Sequence, residues 1–261
     1  MHPDTATGLR TELERELTAC RRRLDRLTAP LDDEAMHRQH DRIMSPLVWD
    51  VGHVGNFEEL WLLREVAGRP AHDPDLDHVY NPFENPRWIR ADLEVLQRAE
   101  ARAYLAEVRA EALEVLRSVE LGPEQPLLAD GYVYRMIVQH EAQHQETMLQ
   151  TLDLRGSGDH AAAAYPLAGE RRLPALARPV DDAERVVIPG GPFRMGTDDR
   201  GAAYDNERPR HRVELPAFAI DRFPVTVRRY AEFVAAGGYH RPEHWTEAGW
   251  AWRQGTGWRS R

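Results

Sequence analysis

The stretch VYRMIVQHEAQHQETMLQTLDL, residues 133–154, decides the fold of the first half of this chain. Its apolar residues recur at steps of three and four, which predicts one long amphipathic helix from Asp130 to Leu154, capped by Asp130 and ended by Arg155 and Gly156. Within it, His140 and His144 are four residues apart and therefore share one helix face. Two imidazoles so placed can bind one metal ion without any change in the backbone. The stretch predicts a helix that carries a metal site.

Three upstream segments show the same periodicity and predict helices that pack with this one. They cover residues 9–27, residues 47–68, which follow the capping pair Ser45 and Pro46, and residues 99–119. A break rich in Pro and Asp separates the second helix from the third and acts as a long crossover. Four long helices with one long crossover are typical of a four-helix bundle. We therefore predict a bundle over residues 8–155.

The character of the sequence changes after this bundle. Residues 156–183 are rich in Ala, Pro and Gly, show little periodicity, and predict a linker. Residues 184–261 hold short apolar runs separated by turn residues, beginning with VVIPGGPFRMG at residues 186–196. These runs predict the opening of a second domain of the α+β class. The expected fold is therefore a helical domain followed by an α+β domain.

Composition excludes several classes of protein. The 261 residues have a net charge of -9, and this acidic balance disfavours a dedicated nucleic-acid binder. No apolar run approaches the roughly 20 residues of a membrane span, and the N-terminus lacks the features of a secretion signal. We expect a cytoplasmic protein with no membrane or nucleic-acid partner, and the oligomeric state is open. The single cysteine, Cys20, lies in an amphipathic segment and is expected to be a packed thiol.

A third metal ligand is available on the second predicted helix. His53 shares an apolar stripe with Trp49 and Phe57, which places it in the bundle interior. Three histidines, His53, His140 and His144, therefore converge, and bundle interiors are a common place for metal sites. Three neutral imidazoles without a carboxylate or thiolate suit iron(II) or zinc equally well. The alternative is that all three are hydrogen-bonded core residues.

Residues 140–144 also match HExxH, the zinc-protease pattern in which the glutamate activates a water molecule. A protease site of this kind needs a third ligand downstream. One candidate, Glu170, lies in the predicted linker, and the third His of the longer protease signature does not follow the motif. We therefore expect Glu141 to have no catalytic role.

A second cluster, FENPRWIR at residues 83–90, lies in the crossover. Arg87 and Arg90 are three residues apart in a loop rich in aromatic residues, and they could clamp a carboxylate through forked hydrogen bonds. The alternative is an ordinary solvated pair, because arginine is frequent throughout this chain.

The stretches SPLVWDVGHVGNFEE (residues 45–59), FENPRWIR and VYRMIVQHEAQHQETMLQTLDL together resemble the iron(II)-dependent sulfoxide synthases of ergothioneine biosynthesis. Their first domain is a DinB-like four-helix bundle. PGGPFRMGTDD (residues 189–199) and YDNERPRHRVELPAFAIDRFPVT (residues 204–226) are similar to the start of their second domain. That domain has the fold of the formylglycine-generating enzyme and the C-type lectins. The resemblance covers about residues 8–258.

The resemblance implies a function and a set of site residues. In this family a three-histidine site holds Fe(2+), and O2 drives C–S bond formation and sulfoxidation between hercynine and a thiol. The thiol substrate is γ-glutamylcysteine or cysteine, and the resemblance leaves this choice open. The implied residues are His53, His140 and His144 for iron, Gln143 for hercynine, and Arg87 and Arg90 for the carboxylates of the thiol.

The family's second domain normally continues far beyond Arg261. The resemblance therefore implies a C-terminally truncated chain, with the family's tyrosine acid and its trimethylammonium-binding residues outside it. We expect such a chain to bind iron but to turn over poorly. The family also usually has Asn where Val227 stands here. Two other classes stay open, a metal-dependent thiol transferase or hydrolase of the bundle type and a non-catalytic remnant.

Overall fold

The computed structural model describes residues 3–156, 181–201 and 203–256. The chain divides into two compact units, one made of Met1–Gly169 with Thr197–Arg208 and the other of Glu170–Gly196 with Pro209–Arg261. Most of the predicted linker, with Glu170, lies outside the described residues, so the predicted domain boundary stays a prediction. The short segment Thr197–Arg208 belongs to the first unit, although the sequence suggests the second domain for it.

The first unit is helical, as the sequence predicts. Its helices are α1 (Pro3–Thr28), α2 (Asp33–His37), α3 (Leu47–Glu58), α4 (Asp75–Val79), α5 (Arg98–Ser118) and α6 (Tyr132–Gly156). The four long helices α1, α3, α5 and α6 correspond to the four predicted ones. Helix α3 continues as a π-helical segment, Glu59–Val66, and 3-10 turns cover Arg87–Asp92 and Ala129–Gly131.

Helix α3 is central to the packing of the first unit, because it contacts both α5 and α6. Gly55 makes the approach of α5 possible, since a Cβ at this position would lie 2.6 Å from a methyl carbon of Leu105. The core around α3 is apolar, with Leu17, Trp49 and Ile137 almost completely buried. Burial of each such side chain stabilises the fold by roughly 1.5–3 kcal/mol.

Two predicted helix starts are wrong in detail. Asp130 does not begin α6, because it lies in the turn before the helix with a φ of 56°, a left-handed conformation that Asp tolerates better than most residues. Ser45 does not cap α3, since its Oγ accepts a hydrogen bond from Nη1 of Arg90 at 2.7 Å. Sequence alone does not distinguish a capping hydroxyl from one that binds a distant arginine, because both precede an apolar stripe.

The second unit combines short strands and helices, which agrees with the predicted α+β class. Its elements are β1 (Arg185–Ile188), β2 (Gly191–Met195), β3 (His211–Leu215), β4 (Phe218–Asp221), α7 (Val227–Ala235) and α8 (Glu247–Thr256). Two antiparallel pairs form, β1 with β4 and β2 with β3, with Val187 opposite Ala219 and Phe193 opposite Val213. In the described part of this unit no apolar side chain is fully buried. Val227 begins α7 and is 88% exposed.

Two predictions made from composition concern membrane-spanning helices and the single cysteine. None of the described helices combines the length and the apolar character that crossing a bilayer requires; the cytoplasmic location stays a prediction. Cys20 is completely buried, and burial raises the pKa of its thiol to about 11. A thiol that is buried and protonated is a poor nucleophile, as expected for a packed cysteine.

Candidate metal centre

The three predicted histidines lie together in the first unit, between α3 and α6. Nε2 of His53 lies 3.2 Å from Nε2 of His140. One ring nitrogen from each of His53, His140 and His144 lies within 4.8 Å of the other two. Two helices therefore bring three imidazoles around one point, although His53 and His140 are 87 residues apart in sequence. The arrangement fits a single metal ion.

Hydrogen bonds behind two of the rings determine which nitrogen faces that point. Nδ1 of His53 lies 2.8 Å from the carbonyl oxygen of Tyr80, and a carbonyl only accepts, so Nδ1 carries the hydrogen. Nδ1 of His144 lies 3.1 Å from Oδ1 of Asp50, a carboxylate that is 1% exposed. This carboxylate oxygen likewise accepts, so Nδ1 of His144 donates. Both rings then present the lone pair of Nε2 for coordination.

Burial keeps the rings of His53 and His140 neutral, which is the state that binds metals. Burial, helped by the proximity of His144, lowers the pKa of His53 to about 3. The pKa of His140 is also lowered well below its ordinary value, first by burial and then by the two neighbouring histidines. The donor set therefore consists of imidazoles with no carboxylate among them, which suits a divalent first-row metal ion.

The sequence around His53 explains how this ring is held. A Cβ at Gly52 would lie 2.1 Å from the Tyr80 ring, so only glycine at this position lets that ring pack on α3. This packing brings the backbone carbonyl of Tyr80 to His53. The Trp49 ring stacks on His53 with centroids 4.9 Å apart, and the Arg90 guanidinium lies 3.5 Å from the Trp49 ring centroid. The ring of His53 is thus fixed by its backbone partner and by aromatic packing.

Glu141, the glutamate of the HExxH pattern, has no place in this centre. It is completely buried, and its two carboxylate oxygens accept hydrogen bonds from Nε of Arg21 at 3.1 Å and Nη2 of Arg109 at 2.9 Å. That Glu141 has no catalytic role stays a prediction. The structure shows that this residue belongs to a buried network of ion pairs.

That network was missed by sequence reasoning. We call it the charge network and define it as Arg21, Glu58, Arg109 and Glu141, each of which is at most 8% exposed. Glu58 accepts from Nη2 of Arg21 at 2.6 Å and from Nε of Arg109 at 2.5 Å. One signal was available, since Arg21 interrupts the apolar stripe that contains Leu17 and Leu24.

The three predicted substrate residues lie in different surroundings. Gln143 is exposed and lines a cavity of about 230 Å³ together with His140 and Phe57. Arg90 is 6% exposed, donates to the Asn85 carbonyl at 2.8 Å, and has its pKa lowered to about 10 by burial. Arg87 is exposed, and its Nη1 donates to the Ile43 carbonyl at 2.9 Å. The two arginines are therefore not an equivalent solvated pair.

A second group of possible ligands in the described chain is His72, Glu107 and Glu111. His72 and Glu111 already bind each other, with Nε2 and Oε1 2.8 Å apart, and Arg69 also pairs with Glu111. Because an arginine neutralises this carboxylate and the group is largely exposed, the three-histidine centre is the stronger candidate.

Comparison with known proteins agrees with this geometry. The DinB superfamily matches residues 16–148, and the sulfatase-modifying factor enzyme 1-like domain matches residues 172–261. The chain belongs to the DinB superfamily. The resemblance seen in the sequence is confirmed, because the chain is similar over most of its length to bacterial hercynine oxygenases.

The hercynine oxygenase of Mycolicibacterium smegmatis is 42% identical over 254 residues, which cover 95% of this chain and 56% of that protein. The hercynine oxygenase of Mycolicibacterium thermoresistibile is 43% identical over 250 residues, which cover 94% of this chain and 52% of that protein. A formylglycine-generating enzyme of Mycobacterium tuberculosis is 50% identical over 56 residues, 22% of this chain and 18% of that protein. The chain spans about half the length of the hercynine oxygenases that it matches.

Proposed function

We propose that the protein acts in ergothioneine biosynthesis as an iron(II)-dependent sulfoxide synthase. The reaction joins hercynine to γ-glutamylcysteine or cysteine through a C–S bond, and O2 oxidises the sulfur to the sulfoxide. The observation that supports this best is the convergence of His53, His140 and His144 in a chain similar to hercynine oxygenases. Three neutral imidazoles also suit zinc, so the choice of iron rests on that similarity.

In this proposal the three histidines hold the iron, which supplies the redox chemistry of O2 when bound. The chain's own residues prepare the ligands. The Tyr80 carbonyl and the Asp50 carboxylate keep the hydrogens of His53 and His144 on Nδ1, away from the metal. The Phe57 ring stacks on His140 with centroids 3.8 Å apart, and it keeps water from that face of the ligand.

The positions of three further residues support their assignment to the two organic substrates. Gln143 precedes the ligand His144 and opens on the cavity beside His140, where we assign it to hercynine. Arg87 and Arg90 lie on the same 3-10 turn, and we assign them to the carboxylates of the thiol substrate. The guanidinium of Arg90 lies against Trp49, which itself stacks on His53, so this arginine is close to the metal centre.

The test separates metal binding from turnover. The wild-type chain and the variant His140→Ala are incubated with iron(II) without O2, and their iron content is measured after desalting. Unfolding is measured separately with free iron(II) at about 100 times the Kd. We expect the wild type to retain iron and to gain about 2.7 kcal/mol of stability, and His140→Ala to show neither effect. The control His78→Ala changes an exposed histidine outside the centre and is expected to behave like the wild type.

Turnover is then followed by O2 uptake and by mass spectrometry of the sulfoxide, with hercynine and each thiol in turn. Product that depends on iron and O2 supports the proposal. Thiol-dependent activity with zinc and without O2 would point to a transferase or hydrolase. Unchanged melting after chelation, together with iron-free protein, would point to a non-catalytic remnant.

A further inference from the structure

A second group of ligating side chains joins the crossover to α5. Glu107, Glu111 and Glu114 follow one face of this helix at steps of four and three, and His72 of the crossover lies against them. One ligand atom from each of His72, Glu107 and Glu111 lies within 4.8 Å of the other two. An imidazole and two carboxylates therefore meet outside the three-histidine centre.

The His72 ring is held in the same way as the metal-ligand candidate His144. Its Nδ1 lies 3.2 Å from Oε2 of Glu59, a carboxylate that is 2% exposed, and its backbone N–H donates to Oε1 of the same residue at 2.8 Å. In the three-histidine centre, the buried Asp50 carboxylate has this position behind His144. A carboxylate behind an imidazole orients the ring of a metal ligand and raises its basicity. Nε2 of His72 is thereby directed to α5, with Oε1 of Glu111 at 2.8 Å.

The charges around His72 leave a negative surplus. Four carboxylates surround this residue and Arg69, namely those of Glu59, Glu107, Glu111 and Glu114. Arg69 is the one arginine that forms ion pairs with them in the described chain; it pairs with Glu111 and lies 3.7 Å from Glu114. Even with a protonated His72, four negative charges face two positive ones. This surplus favours the binding of a divalent cation.

Glu107 shows where the balance is incomplete. Within the described residues its carboxylate has no hydrogen bond and no ion pair, although one of its oxygens lies within 4.8 Å of a nitrogen of His72 and an oxygen of Glu111. Two carboxylates this close repel each other unless a cation lies between them. A divalent ion bound to both glutamates and to Nε2 of His72 removes the repulsion.

We propose that His72, Glu107 and Glu111 bind a second divalent metal ion, zinc, through Nε2 of the histidine and one carboxylate oxygen of each glutamate. Zinc accepts imidazole and carboxylate ligands in one site, and a water molecule completes a tetrahedral set. The ion takes the place that a hydrogen on Nε2 occupies between His72 and Glu111. It fastens the crossover to α5, which is a structural role that goes beyond the proposed function and needs neither iron nor O2.

The affinity of this site is expected to be lower than that of the three-histidine centre. The group is partly exposed, and Arg69 competes with the ion for Glu111. Zinc stoichiometry tests the site. The full chain, purified without metal, is dialysed at constant pH against a series of zinc concentrations, and the bound zinc is measured by mass spectrometry. We expect the wild type to bind two zinc ions, His140→Ala to keep only the ion at His72, and Glu107→Gln to keep only the ion of the histidine centre.

Glu107→Gln removes a ligand charge at an exposed position and keeps the shape of the side chain. We expect the affinity for the second zinc ion to fall at least about tenfold, since the loss of a hydrogen-bond partner behind a ligand already costs this much. The melting temperature without metal should stay that of the wild type. The matched control is Glu120→Gln, at an exposed position outside the group, which is expected to bind two zinc ions.

A wild-type chain that binds one zinc ion and loses it in His140→Ala would overturn the inference while the three-histidine centre stands. Equal losses in Glu107→Gln and Glu120→Gln would also overturn it, because surface charge alone would then attract the ion. One zinc ion that His140→Ala keeps and Glu107→Gln loses would support the second site and contradict the ligand assignment of the proposed function. The two failures are therefore distinguishable.

Discussion

The three-histidine centre and the charge network share two helices, α3 and α6, and have opposite properties. Helix α3 contributes His53 to one and Glu58 to the other, and α6 contributes the adjacent residues His140 and Glu141. In the charge network, both carboxylates are bonded to both arginines, so the four charges balance within the fold. In the histidine centre, three imidazole rings bring one nitrogen each around one point.

The difference indicates where a ligand is needed. Buried ion pairs that satisfy each other require nothing from outside, and they stabilise one arrangement of the helices. His53 and His144, whose Nδ1 atoms are already bonded behind the ring, still offer a lone pair at Nε2 to a metal ion. Of two buried polar clusters in one bundle, the one that remains open to a cation is the candidate functional site.

The largest expected effect is that of Arg109→Met on stability, which tests whether the charge network is independent of the histidine centre. The change leaves Glu58 and Glu141 buried with one arginine between them, and we expect the free energy of unfolding to fall by about 3–5 kcal/mol. Urea unfolding measures the loss. Arg117→Met, at an exposed position of the same helix, is the control, with an expected change below about 1 kcal/mol. Iron bound per folded chain should stay at the wild-type value in both variants.

A loss of iron from folded Arg109→Met protein, equal to that from His140→Ala, would contradict the separation of the two clusters. So would a stability equal to that of the control, since it would show that the buried carboxylates do not depend on Arg109.

The second prediction concerns the bond from His144 to Asp50. Asp50→Ala removes the acceptor that holds the hydrogen on Nδ1, and we expect metal affinity to fall about 10- to 100-fold. Asp50→Asn keeps an oxygen that accepts this hydrogen and should recover part of the affinity. Competition with a chelator of known affinity measures both effects. Asp153→Ala, at an exposed position of α6, is the control.

If Asp50→Ala and Asp50→Asn lose the same affinity, the orientation of His144 does not depend on this hydrogen bond. If neither variant differs from Asp153→Ala, the carboxylate has no part in the metal centre.

The smallest effect on stability is expected at His72, which pairs with Glu59 and Glu111 outside the charge network. His72 lies between two carboxylates, with Nδ1 3.2 Å from Oε2 of Glu59 and Nε2 2.8 Å from Oε1 of Glu111. Partial burial lowers the pKa of His72, but the hydrogen bonds and charges of both carboxylates outweigh it, so the pKa is raised overall. The protonated ring therefore favours the folded state.

The sign of the pH dependence follows. A raised pKa in the folded state contributes stability below the unfolded pKa of about 6.5, and that contribution is lost as pH rises through the folded value. The difference in free energy of unfolding between wild type and His72→Gln should be below about 1 kcal/mol and larger at pH 6 than at pH 9. A difference that is constant over this range would show that His72 acts by packing alone.

Much of the bundle could be predicted from sequence, because helix formation and apolar burial share a period that single residues reveal. The same period brought His140 and His144 to one face and placed His53 on a facing helix. The charge network was missed because arginine is frequent in this chain. Arg21 is marked only by its place in the apolar stripe of Leu17 and Leu24, and its partners Glu58 and Glu141 are 37 and 120 residues away. The place of Thr197–Arg208 in the first unit was missed because its neighbours in sequence belong to the second unit.

The sequence by itself determined the four long helices, the candidate ligands and the resemblance to sulfoxide synthases. Each depends on residues close together in the chain, whose spacing fixes which face they share. Only the tertiary structure decided that Glu141 is buried between two arginines and that Asp50 and the Tyr80 carbonyl orient the imidazoles. The hydrogen bonds among these residues join positions 27 to 120 apart, from His53 and Tyr80 to Arg21 and Glu141, and only tertiary packing brings them together.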